Sequence, residues 1–396
     1  MGSSHSIALF CFRFLAAFML LHGTATAANE RVKIGFMSTL SGPGSGMGVD
    51  IRDGFQLALK HNDNKAAGLP IVLLIDDDAQ SPDTAKQITE RFLKRDRVDF
   101  MSGIIFSNIM LAVGPAIFEN QTYYISANSG PSQFAGAQCN PFFFNTTWQG
   151  DALHEAMGQY LSDKKIANVY LVAPNYPGGK DALSGFKRFY KGKLANEHYV
   201  KLGQLDFAAE LAQIRAAKPD AVYFFLPGGM GVNFIKQYGA SGLNKSIPLF
   251  TSGFSADEDT IKAVGNLMIG MTNSTHWAAD LDNPQNVRFV ADFQREFGRF
   301  PSLYAAQGYD AAQAIVAAVR DVNGKLEDKA ALGRALRAAH FKSVRGAFRY
   351  NTNQYPIQNY YLRVVEKNAQ GQIRNRLAGT ILSNHADAYV AACSMK

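Results

Sequence analysis

Short apolar runs recur along the chain, each followed by a polar or glycine-rich break and then by apolar positions at helical spacing. Residues 32–37 form the first run, 38–48 the break and 51–61 the helical pattern. The order returns with a strand at 71–75 ahead of Asp76-Asp77-Asp78, a helix opened by Pro82 and running to about Arg95, and a strand at 98–105. A further strand, 122–125, ends at the small polar loop 126–131. Beyond Trp148 the rhythm restarts: helix 151–162, strand 168–172, loop 173–179, helix 180–191, helix 208–218, strand 221–226, loop 227–231, a helix to Tyr238, and strand 248–251 entering loop 252–256. Helical patterns at 285–297, 303–322 and 328–338 follow, then strands at 359–365 and 372–377 around a turn at 368–371. Strands alternating with helices predict an α/β chain with two doubly wound, mostly parallel sheets and right-handed crossovers. No low-complexity linker separates the two series, which predicts a compact hinge between two lobes.

A length of 396 residues, 47% hydrophobic and 18% charged, fits two cores and excludes a disordered chain. The net charge of +7 is dispersed, with no basic run to track a phosphate backbone, so nucleic acid is not an expected partner. Residues 7–21 are apolar apart from Arg13 and lead into Gly23-Thr24-Ala25-Thr26-Ala27-Ala28, the pattern of a secretory signal peptide cleaved after Ala27 or Ala28. The run is short for a spanning helix, and Arg13 at a bilayer centre would cost about 3 kcal/mol. An uncleaved anchor is the alternative. Loss of the leader removes Cys11 and leaves Cys139 and Cys393 in an oxidising compartment, which predicts one disulfide; the alternative is two buried free thiols.

Ligands of open α/β sheets sit beyond the carboxyl ends of the strands. The loop Ser41-Gly42-Pro43-Gly44-Ser45-Gly46-Met47-Gly48 offers backbone N–H groups at a helix start, suited to a carboxylate, while lacking both G-x-G-x-x-G and the P-loop lysine. Phe106-Ser107-Asn108 and Ser126-Ala127-Asn128-Ser129 end successive strands in neutral donors that can hold a carboxylate or simply cap a helix. Gly253-Phe254-Ser255-Ala256-Asp257 fails the nucleophile elbow at its last position. With His5 and His22 in the leader, six of the eight histidines remain, none at metal-ligand spacing. The expectation is a binder, not an enzyme, with no cofactor and no metal.

In these loops and their order the chain resembles periplasmic solute-binding proteins of the leucine/isoleucine/valine-binding family, which feed ABC importers. The resemblance runs through Ile34-Gly35, Leu40 to Gly48, Gly54 to Leu59, Asp76 to Pro82, the strand 98–103 and Tyr304 to Ala311. It implies a type I periplasmic binding fold: two doubly wound lobes joined by a three-strand hinge that close on a solute. The implied organisation is a signal peptide at 1–28, a first lobe of 29–147 and 277–350, a second of 148–276 and 351–375, and a tail of 376–396. By motif match the first lobe would hold the ligand through Ser41, Met47, Phe106, Ser107, Ser126, Asn128 and Ser129. The second would close with Tyr176, Pro227 and Phe254, with Trp277 near a crossover.

The resemblance also implies a periplasmic monomer with a membrane permease as partner. Where amino-acid binders of this family set an acidic residue against the substrate ammonium, this chain has Phe254; Asp257, Glu258 and Asp259 follow at a helix start that explains them by capping. An unpaired buried ammonium costs several kcal/mol. The stretch 126–148 is similar to the branch that binds benzoate-type and cinnamate-type acids, so an aromatic carboxylate is the expected ligand. A branched-chain amino acid or small amide, or a sensory role, is the alternative.

Overall fold

The computed structural model describes residues 30–395, so the leader, Cys11 and the cleavage site lie outside the described residues. The first sheet contains β1 (Val32–Ser38), β2 (Lys65–Ala66), β3 (Leu69–Asp77), β4 (Phe100–Ser102), β5 (Tyr123–Ser126) and β6 (Phe143–Asn145) in the order β2-β3-β1-β4-β5-β6. Apart from the short antiparallel β2, its pairs are parallel. The second contains β7 (Asn168–Pro174), β8 (Lys193–Val200), β9 (Ala221–Phe224), β10 (Leu249–Ser252), β11 (Thr272–Thr275), β12 (Gln358–Lys367) and β13 (Ile373–His385) in the order β13-β12-β11-β10-β9-β7-β8. Its β7 to β11 are parallel, and β12 and β13 add antiparallel strands at one edge. The predicted α/β class with two doubly wound sheets is the class observed.

Among the described residues the chain makes three hinge passes between the lobes ahead of its C-terminal tail: after β6, after β11 and before β12. Between the last two passes it lays the helices Pro284–Phe297, Leu303–Asp321 and Lys329–Ala338 on the first lobe. Helix Leu303–Asp321 packs on helix Ser45–Lys60 so closely that a Cβ on Gly54 would lie 1.9 Å from the carbonyl oxygen of Ala305, and one on Gly308 would lie 1.9 Å from that of Ile51. Arg345 ties the passes together. Its guanidinium donates to the carbonyls of Thr146 and Thr147 on the first, to Gln358 on the third, and to the buried carboxylate of Asp310 on helix Leu303–Asp321.

Four strands escaped the hydrophobic pattern: β2 and β6, which are only two and three residues long, and β11 and β8, for different reasons. Strand β11 reads Thr-Asn-Ser-Thr and is buried, its polar groups being absorbed by its neighbours: Ser274 donates to the Leu153 carbonyl at 2.6 Å and Asn273 accepts from Arg363 at 2.9 Å. Strand β8 is an edge strand rich in charge, and it needs a pattern on one flank only. The strand read at 372–377 continues to His385. Beyond it the chain returns to the first lobe, where Cys393 is disulfide-bonded to Cys139 across 254 residues of sequence. Disulfides typically contribute about 2–4 kcal/mol to stability. No described helix is long and apolar enough to cross a membrane.

Candidate functional site

A cleft with an empty volume of about 420 Å³ opens between the lobes where the strands of both sheets end. Backbone supplies much of its chemistry. Helix Ser107–Glu119 starts at Phe106, which is extended and makes no side-chain cap, so the first amides of that helix have no intrahelical partner. Helix Pro177–Phe189 starts from uncapped Tyr176 on the opposite wall, and helix Gly229–Ala240 from Gly228, whose φ of 62° suits glycine. Helix N-termini from both lobes therefore give the cleft a field that favours an anion.

Two hydroxyls stand ready in it. Ser107 Oγ and Ser129 Oγ are buried without a hydrogen-bond partner, an arrangement that costs free energy until something fills it. Ser129 is positioned by its own carbonyl, which accepts from Ser126 Oγ at 2.6 Å and Asn145 Nδ2 at 3.1 Å. Asn128 is held from both ends: its Nδ2 donates to Gln307 at 2.8 Å and its carbonyl accepts from Trp148 Nε1 at 2.6 Å. With its oxygen occupied by Asn128, Gln307 turns its amide to His276 Nε2 at 3.3 Å. Burial, reinforced by Arg345 and Arg363, holds His276 well below the usual histidine range, and it is neutral.

The rest of the wall is aromatic. Phe106 faces Tyr176 across the cleft with ring centroids 6.1 Å apart; Trp148 and Phe254 are 4.3 Å apart, and Phe254 and Tyr304 5.5 Å. Phe225 completes the floor, backed by His154 at 4.9 Å. Burial alone lowers the His154 pKa to about 3, so the floor carries no charge.

Of the residues expected from the sequence, Met47, Phe106, Ser107, Asn128, Ser129, Tyr176, Pro227 and Phe254 line this cleft. Ser41, Ser126 and Trp277 do not. Ser41 is exposed ahead of the turn Gly42–Gly44. Ser126 spends its hydroxyl on the Ser129 carbonyl, shaping the loop from beneath. Trp277 is buried against Phe289, with Nε1 donating to Asn286 at 2.7 Å, and is a packing residue at the second pass.

Sequence reasoning missed Trp148, Phe225, Tyr304 and Asp181, all of which line the cleft. Trp148 and Tyr304 sit in stretches that carried the family resemblance; Phe225 and Asp181 had only strand and helix periodicity to mark them. Asp181 corrects the picture of a cleft gripped by uncharged groups. Its carboxylate bridges the lobes, accepting from Ser132 N at 3.0 Å and Ser132 Oγ at 2.7 Å. Burial raises its pKa, against those hydrogen bonds and the attraction of Arg188. Asp257, read from the sequence as a cap, does cap its helix by accepting from Thr260 N at 2.7 Å.

Known proteins share this architecture. The periplasmic binding protein family matches residues 31–371. A solute-binding protein of an ABC transporter from R. palustris, solved in complex with benzoate, is 29% identical, with a TM-score of 0.87 over 92% of this chain and 100% of that one. One from Rhodopseudomonas palustris BisB5, in complex with 3,4-dihydroxybenzoic acid, is 28% identical, with a TM-score of 0.84 over 91% of this chain and 99% of that one. The Leu/Ile/Val-binding protein homolog 6 of Brucella melitensis is 26% identical over 377 residues, 91% of this chain and 94% of its own. With its two doubly wound lobes, three passes between them and a cleft at the strand ends, the chain belongs to the periplasmic binding protein family.

Proposed function

We propose that this protein captures an aromatic carboxylate of the benzoate type in the interlobe cleft and delivers it to the permease of an ABC importer. The observation that carries the reading is the pair of unpartnered hydroxyls, Ser107 and Ser129, beside an uncapped helix start and facing a wall of aromatic rings. Hydroxyls and N–H groups neutralise a carboxylate by hydrogen bonding, and ring faces bury the apolar end of the same molecule. The benzoate and dihydroxybenzoate complexes of the R. palustris relatives support it. Export goes with this role: the chain recovered from a periplasmic fraction would begin at Ala28 or Asn29, and Edman sequencing that returns Met1 would contradict the leader.

A branched-chain amino acid is the second reading. Asp181 favours it as a counter-charge for an ammonium, as do the Brucella relatives. Thermal unfolding against benzoate, 4-hydroxybenzoate, 3,4-dihydroxybenzoate, leucine and a small amide separates the two. A ligand at a hundred times its Kd stabilises by about 2.7 kcal/mol. Stabilisation by leucine alone overturns the aromatic reading. Ser107→Ala and Ser129→Ala should each weaken benzoate-type binding by about 1.5–3 kcal/mol, roughly ten- to a hundredfold in Kd by calorimetry. The ligand-free melting temperature should hold or rise, because neither hydroxyl has a partner to lose and each costs free energy while unfilled.

A further inference from the structure

Beside the ligand cleft, behind Met47 and Tyr304, lies a second interlobe cavity of about 220 Å³ that no ligand-facing role explains. Its polar lining is acidic and comes from both lobes: Asp50 from helix Ser45–Lys60, and Asp257 and Asp259 from the start of helix Glu258–Val264. Asp50 and Asp257 are buried, and the Asp259 carboxylate lies over Gly46 in the first turn of the facing helix, where a Cβ would stand 2.8 Å from Oδ2. We propose that closure of the lobes takes up protons at this seam, so that the protein holds its ligand more tightly in mildly acidic than in alkaline medium.

The charge balance around the seam supports it. On the first lobe Arg299 serves both Asp50 and Asp53, at 2.5 and 2.7 Å, and Arg52 also pairs with Asp53. Ser302 Oγ donates to Asp50, and Tyr304 stands between the lobes. On the second, Asp257 accepts from Thr260, while the buried Arg363 is shared with Glu258, which Arg374 and Asn375 also face. Closing the lobes thus brings Asp257 and Asp259 against Asp50, and the facing-lobe cation beside them, Arg299, is already paired with Asp50 and Asp53. Burial raises Asp50 to about 6, with Asp259 adding to the rise, and Asp257 to about 7, with Asp259 and Asp50 adding. Opening the hinge separates these groups and rehydrates them, returning them toward the ordinary carboxylate range. The closed form therefore binds more protons, and by linkage falling pH favours it.

This inference requires that the lobes close on a ligand, not that the ligand be aromatic. Calorimetry with whichever panel member binds, at pH 6 and pH 8, should show about three- to tenfold tighter binding at pH 6, with net proton uptake read from two buffers of different ionisation enthalpy. Asp257→Asn keeps an N-cap residue. It and Asp259→Asn should each flatten the slope and tighten binding at pH 8. An equal slope in all three proteins would assign the protons to groups such as Asp181 and overturn the proposal, as would no slope at all. If no panel member binds, the ligand reading fails by itself. Solution scattering of the ligand-free chain then decides: the radius of gyration should fall from pH 8 to pH 6 in the wild type and stay constant in Asp257→Asn, and an unchanged wild-type radius overturns the seam.

Discussion

Replacing Arg345 with methionine should lower the unfolding free energy by about 3–5 kcal/mol, the range for removing one partner of a buried charge pair. The guanidinium is 7% exposed and the Asp310 carboxylate it meets is fully buried. The substitution leaves Asp310 with only Ser343 and the Val344 amide, and leaves the Thr146 and Thr147 carbonyls without their guanidinium donor. The pH dependence identifies the cause. Burial already raises Asp310 above the ordinary carboxylate range and Arg345 opposes that rise. Without Arg345 the folded-state pKa climbs further, so the variant binds a proton on folding that the wild type does not. Its deficit should be largest at neutral pH and should shrink as pH falls towards the carboxylate range. Urea unfolding at pH 7.5 and pH 5 measures this; a deficit independent of pH would mean that lost packing, not the stranded carboxylate, is responsible.

The second large effect is expected at the crossing of helices Ser45–Lys60 and Leu303–Asp321. Gly308→Ala or Gly54→Ala should each cost about 3 kcal/mol or more. The added methyl meets backbone, which cannot swing aside as a side chain would, so the helices must separate along their whole contact. The two changes together should cost less than their sum, because helices parted by the first methyl have room for the second. These helices also present Met47 and Tyr304 to the cleft from their first turns, so ligand affinity should fall with stability. A change of less than 0.5 kcal/mol in urea midpoints at constant slope would show that the crossing is looser than described.

The legibility of this chain divided along physical lines. Strands such as β1 and β7 are hydrophobic on both faces because helices cover both, and that pattern is visible without a structure. Loops at strand ends advertised Ser107, Asn128 and Ser129, since short polar residues after an apolar run are the ones that can meet a ligand or a helix start. Strand β11 was invisible because its polar side chains are satisfied by residues distant in sequence: Leu153 lies 121 positions from Ser274, and Arg363 lies 90 from Asn273. Trp277 shows the converse case, a residue whose neighbours in sequence left its role open. The resemblance set it near a crossover with a packing role as the alternative, and the partner of its indole, Asn286, favours packing.

Local periodicity and loop composition, which depend on residues a few positions apart, were enough to establish two doubly wound lobes, a cleft at their strand ends and donors suited to an anion. The tertiary structure alone decided that Asp181 spans the cleft to Ser132, 49 positions away, that Asp50 faces Asp257 across a seam, and that Arg345 reaches back to Thr147, 198 positions away. Those pairings arise from the order in which the chain crosses the hinge. A carboxylate acquires its charge state and its role from what the fold brings beside it, which no short stretch of sequence contains.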